Sequence, residues 1–207
     1  MKSNEILSTI LKCATEYKNN LMERNLLFLC ADKHGKISYL EVEFKAEHYL
    51  HFTGVKTNVA PKFFYKMCVN RRLSFRDFSV PDDGIVDLKL KVLPKLMKEN
   101  ISANMVGEYN GNRPVLYTER LAGNISACMG FVKHSENNMY SPNTVLATDM
   151  RDETIRISRV VLTLRKKFTE EKYDELVYQA KGVKSLGLTV PNEVLCKMSD
   201  RVIDDFC

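Results

Sequence analysis

Two histidines, a threonine and a glycine stand close together between residues 44 and 55, as His48, His51, Thr53 and Gly54. An imidazole titrates with a pKa of about 6.5, so it can take up or release a proton near neutral pH. A neighbouring hydroxyl can donate a hydrogen bond to a charged oxygen. These residue types are therefore suited to acid–base chemistry.

A cationic stretch surrounds and follows this segment. Between residues 45 and 78 there are seven lysines and arginines against two acids, a local net charge of +5. The whole chain of 207 residues also carries +5, so the remaining charges nearly cancel. A site that acts on a phosphodiester needs cations to hold the anion and an imidazole beside them to move protons. The cations are Lys45, Lys56, Lys62, Lys66, Arg71, Arg72 and Arg76.

The local register of the chain decides which histidine is available. If the segment around His51 is extended, Leu50 and Phe52 point to one side while His51 shares the other side with Thr53. The apolar pair then enters the core and leaves His51 in a cleft. His48 falls on the Leu50 side in this arrangement, whereas in a helix the two histidines would share a face. We therefore rank His51 above His48 as the proton-transfer residue.

The elements that position these residues are predicted from apolar spacing and from turn residues. Gly35 lies between two β-rich runs and makes them a hairpin. The helix over 82–97 has its expected apolar seam at Ile85, Leu88, Val92 and Leu96. We expect helices over residues 4–24, 60–68, 82–97, 170–181 and 190–206, a linker over 182–189, and strands over 26–31, 37–44, 103–109, 114–119, 128–132, 144–148 and 155–164.

Length and composition indicate a single domain with helical additions. With 44% hydrophobic and 28% charged residues, the chain can bury a substantial core. It has no apolar run of about 20 residues and no secretion signal at its N-terminus, so we expect a cytoplasmic protein. Its six cysteines are scattered without a C-x-x-C pair, which favours reduced, packed thiols and no metal site.

Three motifs resemble those of a nuclease family. Residues 50–55 read LHFTGV and resemble the F…HLTG signature of the phage-associated subfamily of barnase, EndoU, colicin and RelE-like nucleases, the BECR fold, with Phe52 in place of the usual Leu. Residues 128–131 read CMGF and are similar to that subfamily's later GF element. Residues 140–151 read YSPNTVLATDMR and are similar to its YxPNTLLxDIR element. The resemblance covers roughly residues 26–181.

The resemblance implies an α+β protein with a curved antiparallel sheet and helices packed on one face. On this basis the chain divides into an N-terminal helix over 1–24, a nuclease domain over 25–181, and a linker with a C-terminal helical extension over 182–207. The implied activity is that of a metal-independent endoribonuclease without a cofactor, of mobile-element or toxin type. The implied partners are an RNA substrate and an inhibitor or antitoxin protein, with no membrane.

Metal-free RNA cleavage needs a base for the 2′-hydroxyl, an acid for the 5′-oxygen and donors for the charged phosphorane. We expect His51 to act as general acid or base, and Thr53 and Thr144 to donate hydrogen bonds to the phosphate. Tyr140 and Arg151 are lesser candidates for stabilising charge, as is Lys66. The second proton-transfer residue is unassigned, because no glutamate stands out near the motifs. The expected nucleic-acid-binding residues are Lys56, Lys62, Lys66, Arg71 and Arg72.

The same residues also have structural interpretations. His51 can be a core-edge histidine, and Asp149 with Arg151 can form an ion pair at a strand end. The H-x-x-H pair has no further ligands nearby that would complete a zinc site. Cys128 has no base partner in sequence and is expected to be a buried thiol. The basic residues can form a solvated helix face, and residues 140–144 a turn that caps a strand.

Two alternative functions remain at this point. One is a non-catalytic RNA- or protein-binding module on the same fold, and the other is a regulatory protein whose basic strip docks an acidic neighbour. The spatial arrangement of the candidate residues discriminates between these two alternatives and catalysis. We expect His51, Thr53 and Thr144 of an active enzyme to converge on one cleft.

Overall fold

Seven strands of the sheet form a closed barrel. The structure is a computed structural model, and it describes residues 1–111, 117–133, 139–183 and 189–206. The strands are β1 (Arg24–Ala31), β2 (Ile37–Phe44), β3 (Met105–Tyr109), β4 (Arg120–Gly123), β5 (Cys128–Lys133), β6 (Tyr140–Leu146), β7 (Thr154–Lys167) and β8 (Glu175–Gln179). The helices are α1 (Ser3–Asn20), α2 (Tyr49–Thr53), α3 (Pro61–Val69), α4 (Ile85–Leu96), α5 (Met150–Glu153), α6 (Asn192–Leu195) and α7 (Asp200–Phe206), with a 3₁₀ turn at Ala46–His48.

The barrel closes because β7 is long enough to pair with strands on both of its edges. The strand order is β1-β2-β6-β5-β4-β3-β7, and β7 pairs back with β1. Arg159 of β7 lies opposite Met105 on one edge and Ala31 on the other. The β2–β6 pair is parallel and the others are antiparallel. The predicted α+β class is confirmed, but the predicted open antiparallel sheet is wrong, because the sheet is mixed and closed.

Helices α1 to α4 share one hydrophobic core with the strands of the barrel. This core contains side chains from all seven barrel strands together with side chains from these four helices. We call it the interior core. Along β1, Leu26 and Phe28 belong to this interior core, while Leu27 and Leu29 face outward.

The C-terminal part of the chain covers the outer face of β1 and β7. A second core joins Leu27, Leu29 and Leu162 to residues of α6 and α7. The buried carboxylate of Glu41 accepts a hydrogen bond of 2.9 Å from the Tyr173 hydroxyl and pairs with Lys197. Helical elements therefore lie on both faces of the sheet, and α6 and α7 on the outer face belong to the predicted C-terminal helical extension.

Most of the predicted elements are present, with two corrections. The hairpin of β1 and β2 and the helices α1, α3 and α4 are confirmed. The helix predicted over 170–181 is wrong, since β8 occupies Glu175–Gln179, and the single helix predicted over 190–206 is divided into α6 and α7. The run over 114–119 and the linker over 182–189 lie partly outside the described residues. Among the described residues, no helix is long and apolar enough to cross a membrane.

The register predicted around His51 is also wrong, because the segment is helical. Tyr49, Phe52 and Thr53 are fully buried, at the spacing of three and four that marks one face of a helix. Leu50 is half-buried and His51 is exposed. The helix α2 ends after one turn because Gly54 follows it in the left-handed conformation, with φ of 74°.

Because this segment is helical, truncation of Phe52 and truncation of Leu50 should lower the free energy of unfolding by different amounts. Phe52→Ala should lower the free energy of unfolding by about 3–5 kcal/mol, because a fully buried aromatic side chain is removed from the interior core. Leu50→Ala should cost only about 1 kcal/mol, since its side chain already contacts water. Urea-induced unfolding followed by circular dichroism measures both values. An equal loss in the two variants would support the extended register instead.

Candidate active site

A cluster of aromatic side chains fixes α2 on the barrel. The ring of Tyr17 in α1 lies at the centre, with its centroid 5.4–6.2 Å from those of four other rings. The Tyr17 hydroxyl donates to the carbonyl of Lys45 at 2.8 Å, and the Tyr49 hydroxyl donates to the carbonyl of Ile10 at 2.6 Å. The aromatic cluster consists of Tyr17, Phe44, Tyr49, Phe52 and Tyr65.

His51 lies on the exposed side of α2, where it lines an open cleft of about 790 Å³. Residues 54–58 and 76–79 and the side of α4 form the other walls. Two backbone hydrogen bonds between Lys56 and Ser79, of 3.0 and 2.8 Å, hold the two loop walls together. We call this cavity the His51 cleft. Its basic residues are His51, Lys56, Arg76 and Lys89.

The His51 cleft has a cationic character. Asp77 is the acid among its lining residues, and its carboxylate accepts hydrogen bonds from the backbone N–H and the hydroxyl of Ser74, each 2.7 Å long. These bonds lower the pKa of Asp77 and tie its charge to the turn that contains Ser74. The excess of positive charge favours an anionic ligand such as a phosphodiester.

Lys89 is the closest cation to the backbone of His51. Its Nζ donates a hydrogen bond of 2.6 Å to the carbonyl oxygen of His51. Burial against the cleft wall lowers the pKa of Lys89 to about 8. Loss of hydration lowers the pKa of His51 below its ordinary value, and the positive charge of Lys89 lowers it further. At neutral pH the cleft thus combines a neutral imidazole with an ammonium group that can release a proton.

Thr53 and Thr144 do not line the His51 cleft. Thr53 is fully buried, and its hydroxyl donates to the carbonyl of Leu50 at 2.8 Å and accepts from the N–H of Val55 at 3.4 Å. It therefore holds the C-terminal end of α2. Thr144 is buried in β6 opposite Gly130, on the outer side of the sheet. The three residues expected to converge on one cleft do not do so.

Tyr140 and Arg151 lie at two other places. Tyr140 lines a separate cavity, described below as the barrel mouth. Arg151 is exposed, and its guanidinium forms hydrogen bonds of 2.6–3.1 Å with the carboxylate of Asp149. Asp149 also caps α5 by accepting from the N–H of Arg151 at 2.9 Å. The structural interpretation of this pair as an ion pair is confirmed.

The predicted nucleic-acid-binding residues are spread over several surfaces. Lys56 lines the His51 cleft, while Lys62 and Lys66 line a shallow hollow that also contains Lys18. Arg71 lies beside α1, and Arg72 is exposed. The basic strip of the sequence is therefore not one continuous patch.

His48 and Cys128 are both buried in the structure. His48 is buried, and its Nδ1 accepts a hydrogen bond of 3.1 Å from the backbone N–H of Lys45. Burial lowers the pKa of His48 to about 4, which keeps this ring neutral. The prediction of a buried thiol at Cys128 is confirmed, and burial raises its pKa to about 12. The described part of the chain contains no cluster of three potential metal ligands.

The chain matches a nuclease family over most of its length. Residues 9–182 match a family model described as phage-Barnase-EndoU-ColicinE5/D-RelE like nuclease4. The chain belongs to this family. No curated protein and no solved structure matches it. Membership of this BECR family indicates a nuclease that acts on nucleic acid, and it confirms the family predicted from the motifs.

The sequence motifs of this BECR nuclease did not point to Lys89. The residue lies 38 positions after His51, in a helix expected to pack through Ile85 and Leu88. Those two side chains are 45% and 57% exposed, while Val92 and Leu96 of the expected seam are buried together with Val86, Leu90 and Leu93. Positions 86, 89, 90 and 93 form one helical stripe, so a lysine stands at a position otherwise apolar. A lysine within an apolar stripe was therefore the sequence feature that could have pointed to Lys89.

The buried His48 predicts that the stability of this BECR nuclease depends on pH. Its pKa is about 4 in the folded chain and about 6.5 in the unfolded chain, so the unfolded chain binds more protons between these values. This residue should therefore remove about 3 kcal/mol from the free energy of unfolding as the pH falls from 6.5 to 4.

A His48→Asn variant isolates this effect, because its amide oxygen can accept from the Lys45 N–H but does not titrate. Urea unfolding of both proteins at several pH values gives the difference directly. If that difference stays constant between pH 4 and 6.5, His48 does not titrate as a buried group.

Proposed function

We propose that this BECR nuclease is a metal-independent endoribonuclease and that the His51 cleft is its active site. The observation that carries the proposal is the presence of His51 and Lys89 in one cationic cleft, with both pKa values lowered. At pH 7 a histidine with a pKa below 6.5 is a base, and a lysine with a pKa of about 8 is an acid. Acid–base catalysis is most effective when the pKa values lie close to the working pH.

In the proposed reaction His51 removes the proton from the 2′-hydroxyl, whose oxygen then attacks the adjacent phosphorus. Lys89 donates a proton to the departing 5′-oxygen, or stabilises the negative charge of the phosphorane before that step. The bond between phosphorus and the 5′-oxygen breaks. The products are a 2′,3′-cyclic phosphate and a free 5′-hydroxyl, and the attacking group comes from the RNA itself. DNA lacks that group and is not a substrate.

Lys56 and Arg76 take the phosphate-binding role that Thr53 and Thr144 were expected to fill. Both side chains are exposed within the same cleft as His51, whereas the two threonine hydroxyls lie elsewhere. A guanidinium can hold a phosphate through two parallel hydrogen bonds, and a lysine acts as a point charge. Lys62 and Lys66 line a separate basic hollow, which we propose as a second contact for the phosphates of the RNA chain.

The assignment of Lys89 supplies the second proton-transfer residue that the motifs lacked. It also favours catalysis over the alternative of a non-catalytic binding module. A lysine held beside the histidine in a partly desolvated site is costly to the fold, since burial of an ammonium group is unfavourable. RNA binding alone would be served by exposed lysines.

A toxin or mobile-element role follows from the family's association with phage, and it forms part of the proposal. A nuclease that acts on the RNA of its own cell requires a partner that blocks the active site. We propose an inhibitor or antitoxin protein whose acidic surface covers the cationic His51 cleft.

The first test replaces the proposed base. His51→Ala should lower RNA cleavage on the order of 10²- to 10⁴-fold while leaving the circular dichroism spectrum unchanged. His34→Ala is the matched control, because His34 is an exposed histidine in the turn between β1 and β2. Gel analysis of cellular RNA in the presence of EDTA gives the rates, and mass spectrometry should identify 2′,3′-cyclic phosphate ends.

The catalytic proposal fails if the pure protein cleaves no RNA or if His51→Ala keeps full activity. In that case the non-catalytic RNA-binding module becomes the better account. Cleavage of DNA at a comparable rate, or inhibition by EDTA, would leave a nuclease but contradict the proposed chemistry.

The second test concerns the pH dependence that Lys89 imposes. Cleavage should rise with pH as His51 loses its proton and fall above a pH of about 8 as Lys89 loses its own. In Lys89→Arg the fall above pH 8 should disappear, because a guanidinium stays protonated there. Lys89→Gln should lose about 10²- to 10³-fold in kcat. A pH profile of Lys89→Arg that matches the wild-type profile would exclude Lys89 as the titrating group.

A further inference from the structure

A second cavity lies at the barrel mouth and shares no lining residue with the His51 cleft. Its volume is about 650 Å³, within the range of about 300–1,000 Å³ that is common for small-molecule sites. The almost completely buried side chains of Cys30, Leu40 and Val106 form an apolar floor. Tyr140 and the hydroxyl-bearing Ser158 line its wall.

The rim of the barrel mouth carries more positive than negative charge. Lys33, Lys36, Arg120 and Arg156 line it, against two acids. The carboxylate of one acid, Asp32, accepts hydrogen bonds of 2.8 and 2.9 Å from backbone N–H groups within the turn.

The second acid of the rim is shared between two arginines. The Glu108 carboxylate lies 3.1 Å from the guanidinium of Arg120 and 3.4 Å from that of Arg156. The single carboxylate of Glu108 balances one of the two guanidinium charges. Arg120, Arg156 and Glu108 together therefore keep a net positive charge. Each guanidinium has five N–H donors and uses only some of them on Glu108, so the remaining donors can bind a phosphate beside the carboxylate.

The backbone of Arg156 is strained in a way that favours a functional role. Its φ is 51°, in the left-handed region that non-glycine residues rarely adopt. It lies at a bulge of β7, where Val106 pairs with Ser158 but Glu108 pairs with Ile155. Bulges at barrel rims commonly redirect a side chain toward a site. A glycine would relieve the strain, yet the chain carries a long cation at this position.

We propose that the barrel mouth binds a nucleotide, with the phosphate on Arg120 and Arg156 and the base over the apolar floor beside Tyr140. An apolar floor with a cationic rim matches the two chemical parts of a nucleotide, and an aromatic ring offers a stacking surface for any base. The nucleotide can be free in solution, or it can be the 5′-phosphorylated end of a nucleic-acid chain. This site is additional to the proposed active site and does not depend on it.

Isothermal titration calorimetry with adenosine 5′-monophosphate, adenosine and inorganic phosphate tests the proposal. The monophosphate should bind more tightly than either fragment, because it contacts both the rim and the floor. Arg156→Gly should weaken its binding about 10-fold or more through the loss of a charged hydrogen bond. The thermal midpoint of this variant should be equal or higher, because glycine tolerates the backbone conformation.

Arg71→Gly is the matched control for nucleotide binding. Arg71 is also an exposed arginine in the left-handed region, with φ of 55°, but it lies beside α1 and not at the barrel mouth. The same substitution there removes the same charge and should leave the affinity for the monophosphate unchanged. Arg120→Ala should weaken binding in parallel with Arg156→Gly.

Two results would overturn the proposal. The first is an affinity of Arg156→Gly that equals that of Arg71→Gly. The second is a loss of monophosphate binding in His51→Ala, which would place the nucleotide in the His51 cleft. Because the assay needs no RNA cleavage, its outcome is independent of that of the ribonuclease tests.

A 5′-phosphorylated deoxyribonucleotide pentamer distinguishes the two sources of the ligand, since it lacks the 2′-hydroxyl and remains intact. If it binds through Arg156 at least about 10-fold more tightly than the monophosphate, the barrel mouth holds a chain end. Equal or weaker binding assigns the site to a free nucleotide.

Discussion

The packing of Tyr17 against four other aromatic rings is the interaction on which the proposed active site depends. This side chain of α1 contacts Phe44 of β2, Tyr49 and Phe52 of α2, and Tyr65 of α3. Each such ring pair contributes on the order of 0.5–1.5 kcal/mol beyond the burial of its surface. Because α2 is only five residues long, its own hydrogen bonds cannot hold it in place. Tertiary packing fixes its orientation and therefore the side on which His51 is exposed.

The same packing sets the protonation states in the cleft. Helix α4 packs against α2, and Lys89 reaches the carbonyl of His51 at 2.6 Å. Partial burial then lowers the pKa of both residues, because a charged group loses hydration that the protein only partly replaces. His48 is three residues from His51 and also loses its hydration, but a backbone N–H occupies its Nδ1. Burial thus gives one histidine a structural role and leaves the other accessible to a substrate.

Closure of the barrel creates two separate environments for ligands. Cys30, Leu40 and Val106 of the interior core form the floor of the barrel mouth. The long strand β7 is responsible for the closure, and its bulge at Arg156 contributes to the rim. A cationic cleft with titrating groups and a cationic mouth with an apolar floor differ in chemistry, which is why we assign them different ligands.

The family, the α+β class and the location of most elements could be predicted from the amino-acid sequence. Motif positions and β-rich runs are local properties of the chain, and so is the apolar spacing of α1 and α3. The sequence also ranked His51 above His48 as the accessible histidine. The structure agrees with this order, but for a different physical reason. Alternating side chains would expose His51 if the segment were a strand. In the structure His51 is exposed because it lies on the outer side of a helical turn.

Long-range packing determines which residues share a cavity, and local sequence patterns do not contain this information. Thr53 and Thr144 stand in the motifs, but their burial depends on contacts with distant parts of the chain. Lys89 joins His51 because α4 packs through Val86, Leu90 and Leu93 rather than through Ile85 and Leu88. Helical spacing gives two overlapping apolar stripes in this segment, and the neighbouring elements bury Val92 and Leu96 of one stripe together with the other stripe. The closure of the sheet likewise depends on β7 pairing at both edges, a long-range property that no local pattern contains.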